Sequence, residues 1–194
     1  MGLHTSDHDM GLQHARRRID LWWPQIKDGL EAILFTASGC GVTIKDYGFL
    51  LKEDPEYSKK AARVSGMAKD ISEIVAANMR QLNPDTGRSR KISFHPPCTL
   101  QHGLKLGGTV EKILTAAGFD LLPVNDSHLC CGSAGTYSLF QPDISNRLRT
   151  NKLKALQQHA PEIIATANIG CQQHLKTRAD VNIVHWIELL DAEQ

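Results

Sequence analysis

The sequence predicts an α/β fold, with a mostly parallel sheet flanked by helices. Short apolar, β-branched runs alternate with amphipathic segments of helical period along the chain, as βαβ units require. Four of the five cysteines fall just after predicted strands, where parallel sheets gather their ligands. A weak internal repeat gives the alternation a larger period.

Taken in order, Gln13–Leu30 reads as an amphipathic helix and 32–36 (Ala-Ile-Leu-Phe-Thr) as a short buried strand. A helix is expected over 41–51. A long one follows over 55–82, with Pro55 at the favoured first turn and Asn83-Pro84 stopping it. The polar, turn-rich stretch 85–91 marks the boundary between residues 1–82 and residues 83–194. Beyond it come a strand at 91–95, a helix at 103–117 and a strand at 119–124. The loop His128-Leu-Cys-Cys-Gly-Ser-Ala-Gly135 leads to a helix at 142–159 and a strand at 162–166. A short helix after Cys171, a strand at 181–184 and a terminal helix from Trp186 complete the order.

Composition narrows the function. The 41% apolar share suffices for a core, and 22 Lys plus Arg against 21 Asp plus Glu leaves no basic footprint for nucleic acid. No apolar run approaches the ~20 residues needed to span a bilayer, and no signal-peptide layout is present. Cytoplasmic residence is the expectation. In a reducing compartment clustered cysteines point to metal or catalysis rather than disulfides. Cys130 and Cys131 are adjacent, a poor geometry for bridging one another.

The repeat pairs Ala32-Ile-Leu-Phe-Thr-Ala-Ser-Gly-Cys40 with Glu162-Ile-Ile-Ala-Thr-Ala-Asn-Ile-Gly-Cys171. Carried back by the same offset, Cys130-Cys131 falls at or just before residue 1. Residues 1–82 are therefore expected to be the back half of a first repeat plus a linking helix, and 83–194 a complete one. Cys40 is expected to be metal-free, with Thr43 where His174 stands in the second copy. An incomplete repeat exposes a sheet edge or apolar surface, which invites self-association, for example as a homodimer.

The chemistry is carried by the spacing C-x31-C-C-G-x38-C-x2-H, from Cys98 to His174. Thiolates from three strand-end loops can surround one metal centre, and iron–sulfur clusters are held mainly by cysteine. Gly132 allows a sharp turn and a close backbone approach to the centre. Pro96-Pro97 stiffens the approach to Cys98. An isolated buried cysteine packs as a small apolar residue; four at converging strand ends call for another account.

These residues carry a resemblance. His95-Pro-Pro-Cys98, Cys130-Cys-Gly132 and Gly170-Cys171 resemble the cysteine-rich CCG domain of heterodisulfide reductase subunits, anaerobic glycerol-3-phosphate dehydrogenase and lactate-utilisation proteins. Longer stretches are similar to glycolate oxidase iron–sulfur subunits: Cys130-Cys-Gly-Ser-Ala-Gly-Thr-Tyr-Ser138, Thr166-Ala-Asn-Ile-Gly-Cys-Gln172 and His185-Trp-Ile-Glu-Leu-Leu190. The resemblance implies a [4Fe–4S] cluster on Cys98, Cys130, Cys131 and Cys171. It implies a subunit passing electrons from flavoprotein subunits that oxidise glycolate to glyoxylate, with peripheral membrane association through the complex. In the family such a subunit begins with a ferredoxin-like segment carrying C-x2-C-x2-C-x3-C-P runs. None occurs here, and with no flavin site and no recognisable nucleotide loop no activity is expected of the isolated chain.

The family pattern ends in C-x-x-C, whereas Cys171-Gln-Gln-His174 offers histidine last. Histidine can ligate iron, and it also makes a Cys₃His zinc site reasonable, with a structural or docking role. A thiol–disulfide redox domain of heterodisulfide-reductase type is a further alternative. The adjacent cysteines can both bind, or one can bridge. His95 and His102 flank Cys98 and are candidates to tune the centre from outside its ligand set. His128, His185, Trp22-Trp23 and Arg16-Arg-Arg18 read as structural or solvated. Gly103-x3-Gly107-Gly108 lacks the spacing of a dinucleotide fingerprint.

Overall fold

A computed structural model describes residues 7–82 and 89–191. The chain divides into two units, Met1–Thr36 with Cys40–Ile71, and Ala37–Gly39 with Ser72–Gln194.

The first unit opens with α1 (His8–Lys27), started by Asp7, whose carboxylate accepts from Met10 N–H at 3.0 Å. Its buried face is Gly11, Ala15 and Ile19. β1 (Ile33–Phe35), α2 (Ser38–Lys45), α3 (Tyr47–Leu50) and α4 (Ser58–Met67) follow. Asp54 accepts the backbone N–H of Glu56 and Tyr57 and pairs with Arg16 at 2.8 Å, tying the turn before α4 to α1. The predicted continuous helix over 55–82 is broken. β2 (Ala68–Asp70) interrupts it and pairs in parallel with β1, before α5 (Ile71–Leu82) resumes, belonging from Ser72 on to the second unit. Gly66 weakens α4 at its end, Ala68 turns extended, and strand pairing takes the backbone bonds that the helix gives up. The expected boundary at 85–91 falls largely on 83–88, outside the described residues.

In the second unit β3 (Lys91–His95) leads into a π-helical turn, Thr99–Gly103, and then α6 (Thr109–Ala116). α6 starts later than the sequence suggests because Gly108 sits at φ +81°, a left-handed conformation that ends the preceding loop. β4 (Asp120–Leu121) is likewise shorter than predicted. It is an edge strand running into Pro123, which has no N–H to donate. α7 (Tyr137–Phe140), α8 (Pro142–Gln157), β5 (Ile163–Thr166), α9 (Ile169–Lys176) and β6 (Asn182–His185) follow, and a 3₁₀ turn spans Trp186–Leu190.

The four strands lie in the order β4-β3-β5-β6, and every pairing is parallel. The α/β class with parallel sheets flanked by helices is thus as predicted. β5 is buried along its whole length, as an inner strand covered on both faces must be. Beneath its end lies a core of Leu153, Leu156, Ile164, Leu175 and Ile183, which includes Cys131 and Cys171. Since all strands point one way, the segments following β3, β4 and β5 leave from one edge of the sheet.

Candidate metal centre

Three strand-end segments deliver the cysteines. Buried Pro96 and Pro97 carry the chain from β3 to Cys98, which begins the π-helical turn. The loop after β4 brings Cys130 and Cys131, and Cys171 is the third residue of α9. Their thiols form a continuous series in which Cys98 contacts Cys130, Cys130 contacts Cys131, and Cys131 contacts Cys171. Cys131 and Cys171 are buried, whereas Cys98 and Cys130 are half-buried.

His95 joins this group. One ring nitrogen of His95 and the sulfurs of Cys131 and Cys171 lie within 4.8 Å of one another. The imidazole is fully buried, and neither nitrogen has a nitrogen or oxygen partner. An unsatisfied buried imidazole is costly. Its position against two sulfurs is what a metal centre would satisfy. Soft thiolates beside one imidazole form the donor set of iron–sulfur and zinc sites, so the residues fit such a group.

The electrostatics favour shared ligation. Hydrogen bonds from Cys131 and Cys98 pull the Cys130 thiol far down, assisted by the backbone N–H of Gly132 at 3.3 Å. Cys171 is pulled down as well, first by Cys131 and then by His95 and the Asn168 amide at 3.5 Å. Cys98 and Cys131 are pushed up, each donating toward Cys130. Thiols that share protons along one series suit a metal that displaces those protons on binding. Asn168 is itself held, its Oδ1 accepting from Gly39 N–H at 3.3 Å.

Gly132 has φ +93°, and a Cβ there would come 2.5 Å from the Ser145 carbonyl oxygen. The close approach it permits is to the backbone of α8 rather than to the centre. Ser145 donates to the Gly132 carbonyl at 2.8 Å, locking the loop onto α8. His174 turns to the same serine, with its Nε2 3.3 Å from Ser145 Oγ, and burial lowers its pKa. It lies outside the group formed by His95, Cys131 and Cys171. His102 and His128 are exposed. His185 caps the terminal 3₁₀ turn, its Nδ1 accepting from Ile187 N–H at 3.3 Å. Cys40 is exposed and belongs to the first unit.

Sequence reasoning overlooked Lys152. It lies on the inward face of α8 with Ser145, Leu153 and Leu156, only 3% exposed. A lysine among the apolar positions of an amphipathic helix was the available signal.

Residues 92–176 match the CCG cysteine-rich domain family. The chain is 50% identical over 188 residues to the glycolate oxidase iron–sulfur subunit of Escherichia coli K12, covering 97% of this chain and 46% of that protein. It is 26% identical over 196 residues to a probable glycolate oxidase iron–sulfur subunit of Bacillus subtilis 168, covering 96% and 44%. Lactate utilization protein A of Bacillus licheniformis is 20% identical over 171 residues, covering 85% and 72%. The chain spans less than half the length of the two glycolate oxidase relatives. No helix among the described residues is long and apolar enough to cross a membrane.

Proposed function

From the premise that residues 92–176 belong to the CCG cysteine-rich domain family, we propose that this chain is the cysteine-rich portion of an iron–sulfur electron-transfer subunit of glycolate oxidase type. Cys98, Cys130, Cys131 and Cys171 would hold a [4Fe–4S] cluster, with His95 against its inner face and His174 held back by Ser145. When bound, such a cluster supplies one-electron redox chemistry. The chain's own residues supply thiolate ligands, backbone donors to sulfur from Gly132, and a half-buried opening at Cys98 and Cys130 through which electrons can pass.

The observation that carries this reading is the series of four thiols ending at a buried imidazole that has no nitrogen or oxygen partner and lies against two of the sulfurs. The E. coli relative's name supports glycolate as the source of electrons. They would come through flavoprotein subunits that oxidise it to glyoxylate, in the cytoplasm. Residues 83–194 would form the complete domain, and 1–82 the back half of an earlier repeat with its linking helix.

Iron and acid-labile sulfide analysis of anaerobically reconstituted protein tests the reading. Stoichiometric iron and sulfide with visible absorbance are expected. A colourless protein carrying zinc on the same cysteines would replace it with a structural or docking role. Glycolate-dependent dye reduction by the pure chain would contradict an electron carrier that depends on a flavoprotein.

A further inference from the structure

Lys152 projects from α8 into the second unit and is almost wholly buried, at 3% exposure. Its ammonium donates to two backbone carbonyls, Asp126 at 2.8 Å and Ser127 at 3.2 Å. Those residues open the loop that carries Cys130 and Cys131. Asp126 sits at φ +50°, in the left-handed region, so its carbonyl is turned in a direction that an ordinary extended backbone would not give it. Neither of the bonds from Lys152 goes to a carboxylate. A buried cation held by neutral carbonyls alone keeps its full charge for whatever lies nearby, and the local dielectric is low.

What lies nearby is the thiol series. Burial depresses the lysine's pKa, and Cys131 and Cys98, then Asp126 and last Cys130, act against that depression. Among the groups facing it, the cysteines therefore outnumber the single carboxylate.

Building on the cluster reading above, we propose that Lys152 is a positioning and electrostatic residue of the metal centre: it fixes the loop ahead of Cys130, and its charge favours the reduced form of the bound cluster. Reduction adds one electron to the centre, so the reduced state is the more negative one and gains more from a fixed positive charge. A neutral residue of similar length should leave the cluster harder to reduce.

The test compares anaerobically reconstituted wild-type chain, Lys152→Gln and Lys152→Arg by iron content and by redox titration followed by EPR. Lys152→Gln with full iron should show an equilibrium constant for reduction at least tenfold smaller, a shift of about 59 mV for a one-electron couple. Lys152→Arg should stay close to wild type. A fully loaded Lys152→Gln with an unchanged potential overturns the inference while leaving the cluster reading intact. If Lys152→Gln cannot hold iron, Lys152→Arg decides. Iron at the wild-type potential upholds the role of the charge, and loss of iron there as well overturns it, leaving the amine a packing role only. A wild-type chain that takes up no iron removes the cluster reading and this inference together.

Discussion

β1 with α2 and β5 with α9 are the same local device used twice. A short strand whose last residue is Phe35 in one and Thr166 in the other is followed, five residues on, by a cysteine at the third position of an eight-residue helix. In the second unit that cysteine is buried and meets Cys131 and His95. In the first unit Cys40 is an exposed free thiol. Local sequence builds the strand–helix step, but the step alone makes no site. The cluster of side chains comes from neighbouring strands: β3 contributes His95, the turn after it Cys98, and the loop after β4 the adjacent pair. Such a cluster belongs to sheet topology more than to any one motif.

Core substitutions should separate the two units most strongly. Leu156, fully buried in the cluster that includes Cys131 and Cys171, supports the sulfurs from below. Leu156→Ala should cost about 2–5 kcal/mol and lower iron retention. Leu51→Ala, in the first unit at 2% exposure, should cost a similar amount and leave iron content unchanged. Thermal unfolding with parallel iron analysis measures both. Equal iron loss in the two variants would break the distinction.

Two glycines sharpen it further. Gly132 and Gly29 both have positive φ, at +93° and +100°. Only at Gly132 does an added Cβ meet backbone, whereas at Gly29 it meets nothing within 4 Å. Gly29→Ala should cost about 1 kcal/mol from backbone strain alone. Gly132→Ala should cost roughly 3 kcal/mol or more, because α8 must also move. Denaturant unfolding of the pair reads the difference, and equal costs would show that the contact with Ser145 relaxes freely.

The smallest effect is one of pH, in the first unit. Asp54 is held below its usual carboxylate pKa by the Tyr57 backbone N–H first, and by Arg16 and the Glu56 N–H. A carboxylate lowered in the folded state contributes stability above its unfolded pKa and loses it as pH falls through the folded value. Asp54→Asn should therefore destabilise slightly at neutral pH, and the deficit should vanish under acid. A deficit that persists at low pH would assign the effect to geometry rather than to charge.

Much of the second unit was legible because its inner strands announce themselves. Lys91–His95 and Ile163–Thr166 are short apolar runs between breakers, and their β-branched residues suit a strand buried on both faces. Ala68–Asp70 was not legible. Ala, Lys and Asp have little strand propensity, and only pairing with β1 makes them a strand. The four clustered cysteines could be read from their positions after strands, since parallel order sends those loops to one edge. The placement of His95 against the sulfurs could not, because it depends on the rotation of β3 within the sheet. Lys152 escaped for a related reason. Its role follows from the carbonyls of Asp126 and Ser127, which no sequence pattern places.

The central claim, that shared ligation rather than the local strand–helix step makes the centre, is tested most directly by iron stoichiometry in Cys171→Ser and Cys40→Ser. Both substitutions change one sulfur to oxygen at the third residue of equivalent helices. Cys171→Ser should lose most of its iron and its visible spectrum while keeping its far-UV circular dichroism, and Cys40→Ser should match the unsubstituted chain in all three. Full iron and an unchanged spectrum in Cys171→Ser, or loss of iron in Cys40→Ser, would contradict it.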